Sequence, residues 1–202
     1  DKDSPEAVEA ALRAGADLNA KGIGGVRPVM YAIGQGRAAA FERLIKLGAD
    51  LSARDNEGDN AMTLAANAYA KRPEFLMAAL RAGGDPNTRR SDNDPLIMRF
   101  VADNNLEAIR MLAKHGADVS ARSRTKAPIV VDSAIAEDWD VVWTLLELGA
   151  KFDYADEPNN MEMAFKTPDV TPPDSPLFPY KVKCWRFLTE KGMKLPDLSA
   201  AK

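Results

Sequence analysis

The 202-residue chain carries 27 Lys+Arg against 30 Asp+Glu, a formal charge of −3, with 46% hydrophobic and 28% charged residues. That balance provides no overall positive field for a nucleic acid, and no run approaches the roughly 18 apolar residues that a membrane span needs. One cysteine, Cys184, excludes an intramolecular disulfide framework, and with a single histidine it also excludes the usual zinc sites.

In chain order, residues 5–14, Pro-Glu-Ala-Val-Glu-Ala-Ala-Leu-Arg-Ala, read as an amphipathic helix that stops at Gly15. The same arrangement returns in Phe41-Glu-Arg-Leu-Ile-Lys-Leu before Gly48, in Leu106-Glu-Ala-Ile-Arg-Met-Leu before Gly116, and in Val141-Val-Trp-Thr-Leu-Leu-Glu-Leu before Gly149. The glycines Gly15, Gly48, Gly83, Gly116, Gly149 and Gly192 stand 33, 35, 33, 33 and 43 residues apart. A glycine directly after a helix suits a left-handed cap, where a Cβ costs about 1 kcal/mol.

Behind these glycines come Asp17-Leu-Asn-Ala-Lys21, Asp50-Leu-Ser-Ala-Arg54, Asp85-Pro-Asn-Thr-Arg89 and Asp118-Val-Ser-Ala-Arg122. The next segments, Arg27-Pro-Val-Met-Tyr-Ala32 and Asn60-Ala-Met-Thr-Leu-Ala-Ala66, open the first helix of each pair. Pro28, Pro95 and Pro128 fit a first helical turn; Asn93 and Asn104 stand where the repeat family that this pattern resembles usually has Gly, and Asn is the next best residue at positive φ. Ala65 and Ala66 let neighbouring first helices approach. An insertion of two residues near Tyr69-Ala-Lys-Arg-Pro73 lengthens the loop inside its pair. Pro95 and Pro128 precede their glycine by 21 residues and Pro28 by 20. An ungapped register puts the two prolines one slot early; a gapped one puts Arg99 and Asp132 in small buried slots. The ungapped register is preferred, because burying unpaired charge costs several kcal/mol.

Between Gly149 and Gly192 the extra residues fall in a stretch holding Pro168, Pro172, Pro173, Pro176 and Pro179, which predicts a long extended loop. A closing helix follows, with Tyr180, Cys184, Trp185 and Leu188 on an apolar face and Lys181, Lys183, Arg186 and Glu190 pointing elsewhere.

No catalytic or metal-binding constellation is readable, and no cofactor or small-molecule substrate is expected. A Ser or Cys nucleophile needs a base beside it, and the single histidine, His115, falls in a last helical turn. Cys184 reads as a core residue of the closing helix. Gly22-x-Gly24-Gly25 lacks the Lys-Ser/Thr and the preceding strand of a phosphate loop. Trp139 and Trp143 lie four apart on one helix and are expected to share a face, as core or convex-face packing or as an aromatic anchor for a partner.

The 33-residue period, the Gly-Ala-Asp triplets and the Asp-Leu-Asn-Ala turns resemble the ankyrin-repeat family. The helix openings are similar to that family's Thr-Pro-Leu-His-x-Ala-Ala. The histidine slot holds Met30, Thr63, Met98 and Val131 here, which removes a hydrogen bond between neighbouring loops. The resemblance implies an all-α solenoid of helix-turn-helix repeats joined by β-hairpin-like finger loops, a single domain over residues 1–202. It divides into a partial repeat at 1–20, repeats at 21–53, 54–88, 89–121 and 122–154, and a Pro-rich insertion with a closing cap helix at 155–202. A stack that opens on half a repeat leaves an apolar face uncovered. It predicts at least one further helix upstream, with a signal or lipid-attachment segment ahead of it.

What the resemblance implies for function is non-enzymatic protein binding through the finger tips. On this chain those tips offer Lys21, Ile23 and Arg27, then Arg54, Asn56, Glu57 and Asp59. Arg89, Arg90 and Asp92 follow, then Arg122, Arg124 and Lys126, and last Tyr154, Asp156 and Glu157. The fourth finger is basic, with no acid in 119–131, and the fifth is acidic. The degenerate repeats, the Pro-rich insertion and the ending Trp185-Arg-Phe-Leu-Thr-Glu-Lys-Gly192 further resemble bacterial ankyrin proteins, some of them immunity partners of lipases delivered by type VI secretion. That likeness implies a stoichiometric inhibitor of a secreted phospholipase effector, in the bacterial periplasm. The alternative is a generic adaptor or scaffold binding a cytosolic partner.

Overall fold

The structure, a computed structural model, describes residues 3–154, 160–166, 171–196 and 198. Among them are eleven α-helices and one 3-10 turn. The chain divides into two compact units, Asp1–Arg99 and Phe100–Lys202.

The first unit holds α1 (Pro5–Arg13), α2 (Pro28–Gln35), α3 (Ala38–Lys46), α4 (Ala61–Ala68) and α5 (Pro73–Arg81), and α6 (Met98–Ala102) begins at its end. Local chemistry sets the helix starts. Pro5, Pro28 and Pro73 occupy first turns, where a missing amide costs nothing. Ser4 accepts from Ala7 N at 3.0 Å. Asn60 and Thr63 close a reciprocal capping box on α4, and Asn60 Nδ2 reaches Thr88 Oγ1 at 3.3 Å. Thr63, in the slot that lacks the family histidine, is thus spent on its own helix end. The helices pair as α2 with α3 and α4 with α5, while α1 lies on α3, α2 on α4 and α3 on α5. Phe41 and Phe75 meet edge to face at 5.1 Å and 85° among Met30, Met62 and Leu76.

The second unit holds α7 (Leu106–Lys114), α8 (Ile129–Ile135), α9 (Trp139–Glu147), α10 (Met161–Lys166) and α11 (Phe178–Glu190). Here α8 pairs with α9, α7 lies on α9, α10 on α8 and α11 on α9. Its core gathers Ile109, Leu112, Val141, Leu145, Cys184 and Leu188 around a fully buried Trp139, whose ring meets Phe165 at 4.8 Å.

The six period glycines have φ between 86° and 92°, the left-handed conformation for which they were read. The aspartate that follows is explained as well: Asp17, Asp50, Asp85 and Asp118 each accept the backbone amide two residues on, at 2.8–2.9 Å. These turns start the first four fingers. Asn93 and Asn104 have φ of 69° and 49°, and the equivalent slots one repeat later hold Lys126 at 68° and Glu137 at 61°, which the sequence had not disclosed. The long loop at Tyr69–Arg72 separates α4 from α5 as expected.

The placement of two prolines and the exposure of Lys181 are corrected, and two other segments gain detail. Pro95 and Pro128 stand outside the helices, in isolated bridges to Arg89 and Arg122, and Pro128 is the N-cap of α8. Ile129 takes the slot of Pro28, so the ungapped register is the right one. The long insertion contains a helix, α10. It stands ahead of the Pro-rich stretch and lies on α8, as α11 lies on α9; Pro168 lies outside the described residues. Lys181 is buried at 2% exposure, with its ammonium 4.9 Å from the Trp139 ring. Trp139 and Trp143, four residues apart on α9, are both packed, the first buried against Phe165 and the second half-buried against Phe187.

At the start of the first unit α1 has no buried residue. Val8, Leu12, Leu18 and Tyr31 line a groove of about 260 Å³ beside it.

Candidate protein-binding surface

The fingers are short chain reversals whose backbone is almost wholly spoken for. In the first, Gly22 N donates to Val26 O at 2.9 Å, and the turn Ile23–Gly25 places Ile23 at the apex, 98% exposed. Asn56 N, from the second finger, donates to Gly24 O at 2.8 Å. Gly25 is required there: a Cβ would lie 2.8 Å from Asn56 Oδ1 and 3.1 Å from Asn56 N. Lys21 is exposed and Arg27 half-buried; Arg27 Nη1 donates to Gly25 O at 3.3 Å.

In the second finger, Asp55 Oδ1 accepts from Glu57 N at 2.9 Å and Asp59 N at 3.0 Å. Asn56 and Glu57 are left exposed and Asp59 half-buried. In the third, Arg90 pairs with Asp92 at 3.4 Å. In the fourth, Arg124 and Lys126 are exposed, while Ser123 and Thr125 share a hydroxyl contact of 2.7 Å beneath them.

Three arginines that the sequence offered for recognition have an internal task. Arg54 Nη1 donates to Gly58 O, Arg89 Nη1 to Asn93 O at 2.6 Å and Arg122 Nη1 to Lys126 O at 2.7 Å. Each closes its own finger across four residues, onto the residue with positive φ. Arg54 Nη2 also reaches Arg89 O at 2.6 Å. Arg122 lies over the half-buried Tyr154 ring, 5.3 Å from its centroid. A charged donor on a carbonyl is among the stronger hydrogen bonds, so these side chains act as clamps. The signal was present in the sequence as a basic residue four before each left-handed slot. Asp156 and Glu157 lie outside the described residues.

The structure therefore brings Lys21 and Ile23 together with Asn56 and Glu57 on adjoining fingers of the first unit. In the second it sets Arg124 and Lys126 on the finger that Arg122 and Tyr154 brace. Elsewhere, burial pushes the Cys184 thiol up to about 12, and desolvation, then the neighbouring Asp140, raises Asp138. Among the described residues no helix is long and apolar enough to cross a membrane.

A family model described as ankyrin repeats, in many copies, matches residues 10–65. Over 114 residues the chain is 28% identical to the E3 ubiquitin-protein ligase KEG of Arabidopsis thaliana, a stretch that is 56% of this chain and 7% of the ligase. A solved ankyrin repeat domain from Acinetobacter baumannii superposes with a TM-score of 0.71 at 20% identity, over 94% of this chain and 93% of that one. The ankyrin repeat domain of Bcl-3, a member of the IkappaB protein family, gives 0.64 at 23% identity, over 73% of this chain and 66% of that one. The chain has the all-α ankyrin-repeat fold.

Proposed function

We propose that this ankyrin-fold chain is a non-enzymatic protein-binding module that inhibits a toxic secreted bacterial effector, such as a phospholipase, by docking its finger tips on it. The observation that carries this reading is the clamped finger. Tips held by Arg54 and Arg122 present Asn56, Glu57, Arg124 and Lys126 to solvent, and Ile23 stands on a first finger closed by the backbone bond from Gly22 N to Val26 O, so all are carried on backbone that is already ordered. Pre-ordered contact residues lose little entropy on association, and charged tips steer encounter with one partner in preference to others. The inhibitor reading is compatible with the ankyrin fold that the chain shares with the Acinetobacter domain. The adaptor reading draws on the plant ligase, in which the similar stretch is a small part of a much larger protein.

The test is co-purification with the product of the adjacent gene, together with survival of cells that express that product in the periplasm. Binding and protection together support the inhibitor. Binding without protection moves the chain to the adaptor class, and neither result leaves the inhibitor reading standing. The variant pair Arg124→Glu and Lys126→Glu is expected to weaken the complex without unfolding the protein. Arg122 is kept in this test, because its loss would open the finger itself.

A further inference from the structure

The helical side of the second unit carries a surface that the fingers do not use. On α11, Tyr180, Lys183, Phe187 and Lys191 follow at steps of three, four and four residues, which aligns them as one stripe. Trp143 of α9 and Phe152 flank Phe187, with ring centroids 6.1 Å and 5.9 Å away and planes at 87° and 77°. All four rings are half-buried. The Lys183 ammonium lies 5.8 Å from the Trp143 centroid and 5.2 Å from that of Tyr180, and Lys191 lies 5.7 Å from Phe187. Arg186 and Lys194 add exposed positive charge. Of the acids on the two helices, Asp140 accepts from Asn104 Nδ2 at 3.1 Å, Glu147 is engaged by Arg110 at 2.7 Å and Glu190 is exposed. Beyond the end of α11 the stripe runs into a cavity of about 260 Å³, whose lining sets Phe152 and Met193 among the charges of Asp153, Glu162, Lys191 and Lys194.

We propose that this stripe binds an acidic, extended segment of a protein partner, its carboxylates on Lys183 and Lys191 and an apolar side chain in the cavity. An ammonium over a ring at a partly exposed site gains only about 0.5–1 kcal/mol and keeps donors for a carboxylate. The lysines can therefore be recruited without breaking an ion pair. Half-buried aromatics beside cations are the composition of interface anchors, and a concave end favours a chain that can enter it. A membrane surface is disfavoured, because the apolar face of α11, Cys184 and Leu188, is buried in the core and the rings of Trp143, Tyr180 and Phe187 lie under ammonium groups. Nucleic acid is disfavoured by the net charge of −3.

The probe is a short fluorescein-labelled peptide of repeated Glu-Glu-Phe, titrated into the intact chain at low salt and followed by anisotropy and by tryptophan fluorescence. Saturable binding that weakens with salt is expected, and a Gln-Gln-Phe peptide should not bind. Lys183→Glu with Lys191→Glu should cost about tenfold or more in affinity, whereas Arg124→Glu with Lys126→Glu on the finger should change nothing. If the reversal variant fails to melt cooperatively, Lys183→Gln with Lys191→Gln serves in its place, since it keeps the side-chain stems on the rings. Equal binding of the glutamine peptide, unchanged affinity in a folded double variant, or tighter binding to phosphatidylglycerol vesicles or oligo(dT) would overturn the proposal. The finger variants keep its failure separate from that of the inhibitor reading.

Discussion

The third period glycine is followed by Gly84 where the first, second, fourth and fifth are followed by Ala16, Ala49, Ala117 and Ala150. Restoring alanine should add a few tenths to about 1 kcal/mol by restricting the unfolded chain. The structure predicts the opposite. A Cβ on Gly84 would lie 2.4 Å from Met62 Sδ and 2.9 Å from Ala79 O. The carbonyl is not decisive, because Ala49, Ala117 and Ala150 make the same amide bond to the equivalent carbonyl, at 2.9–3.0 Å. The sulfur is decisive. Carbon and sulfur sit comfortably at about 3.5–4 Å, so the buried Met62 side chain must retreat by more than about 1 Å. In a core of this density such overpacking costs about 1–3 kcal/mol, which exceeds the entropic gain. The slots of Met62 in other repeats hold Val29, Ile97 and Val130, so the longer methionine matches the missing methyl. Gly84→Ala should lower the urea midpoint at constant slope, and adding Met62→Val should return part of the loss, with a coupling of about 0.5–3 kcal/mol. A Gly84→Ala protein as stable as the parent, or more stable, would refute the reasoning.

Leu112→Ala and Leu146→Ala remove side chains that are 0% and 4% exposed, and each should cost about 2–5 kcal/mol in denaturant unfolding; a loss under 1 kcal/mol would mean the core is misplaced. Lys126→Gly replaces a side-chain-bearing residue in the left-handed conformation, φ 68°, with the glycine that Gly58 supplies in the second finger. It should raise stability by about 0.5–1 kcal/mol, and a lower melting temperature would argue that the lysine stem itself supports the finger. Cys184, buried and with its thiol held near 12, should resist a thiol reagent at pH 8. Labelling should appear only as fast as unfolding, and rapid reaction in native buffer would contradict its burial.

What the sequence disclosed was local or periodic. The Gly-Ala-Asp triplets announce both a left-handed cap and an aspartate turn, each made within a few residues, and the apex residues follow from counting along the repeat. What it concealed depends on long-range packing. Lys181 falls on a face chosen by polarity, yet its stem is long enough to cross Trp139 and stay buried. Lys126 and Glu137 occupy slots that only the neighbouring repeats define. The six residues of α10 are too few to show a period. In the candidate surface, Arg124 and Arg122 look alike on paper, and only the carbonyl of Lys126 separates a tip from a clamp. The α11 stripe draws its rings from three segments, so no single window contains it.

Because Arg54, Arg89 and Arg122 close the second, third and fourth fingers and the Gly22–Val26 backbone bond closes the first, the side chains in the apex slots of Ile23, Asn56, Ser91 and Arg124 are not the ones that hold the fingers shut. Four chemically unrelated residues already occupy them. A library randomised at those apices alone, with the arginines held, should therefore consist almost entirely of folded members, and new specificities could be selected from it without first repairing the scaffold.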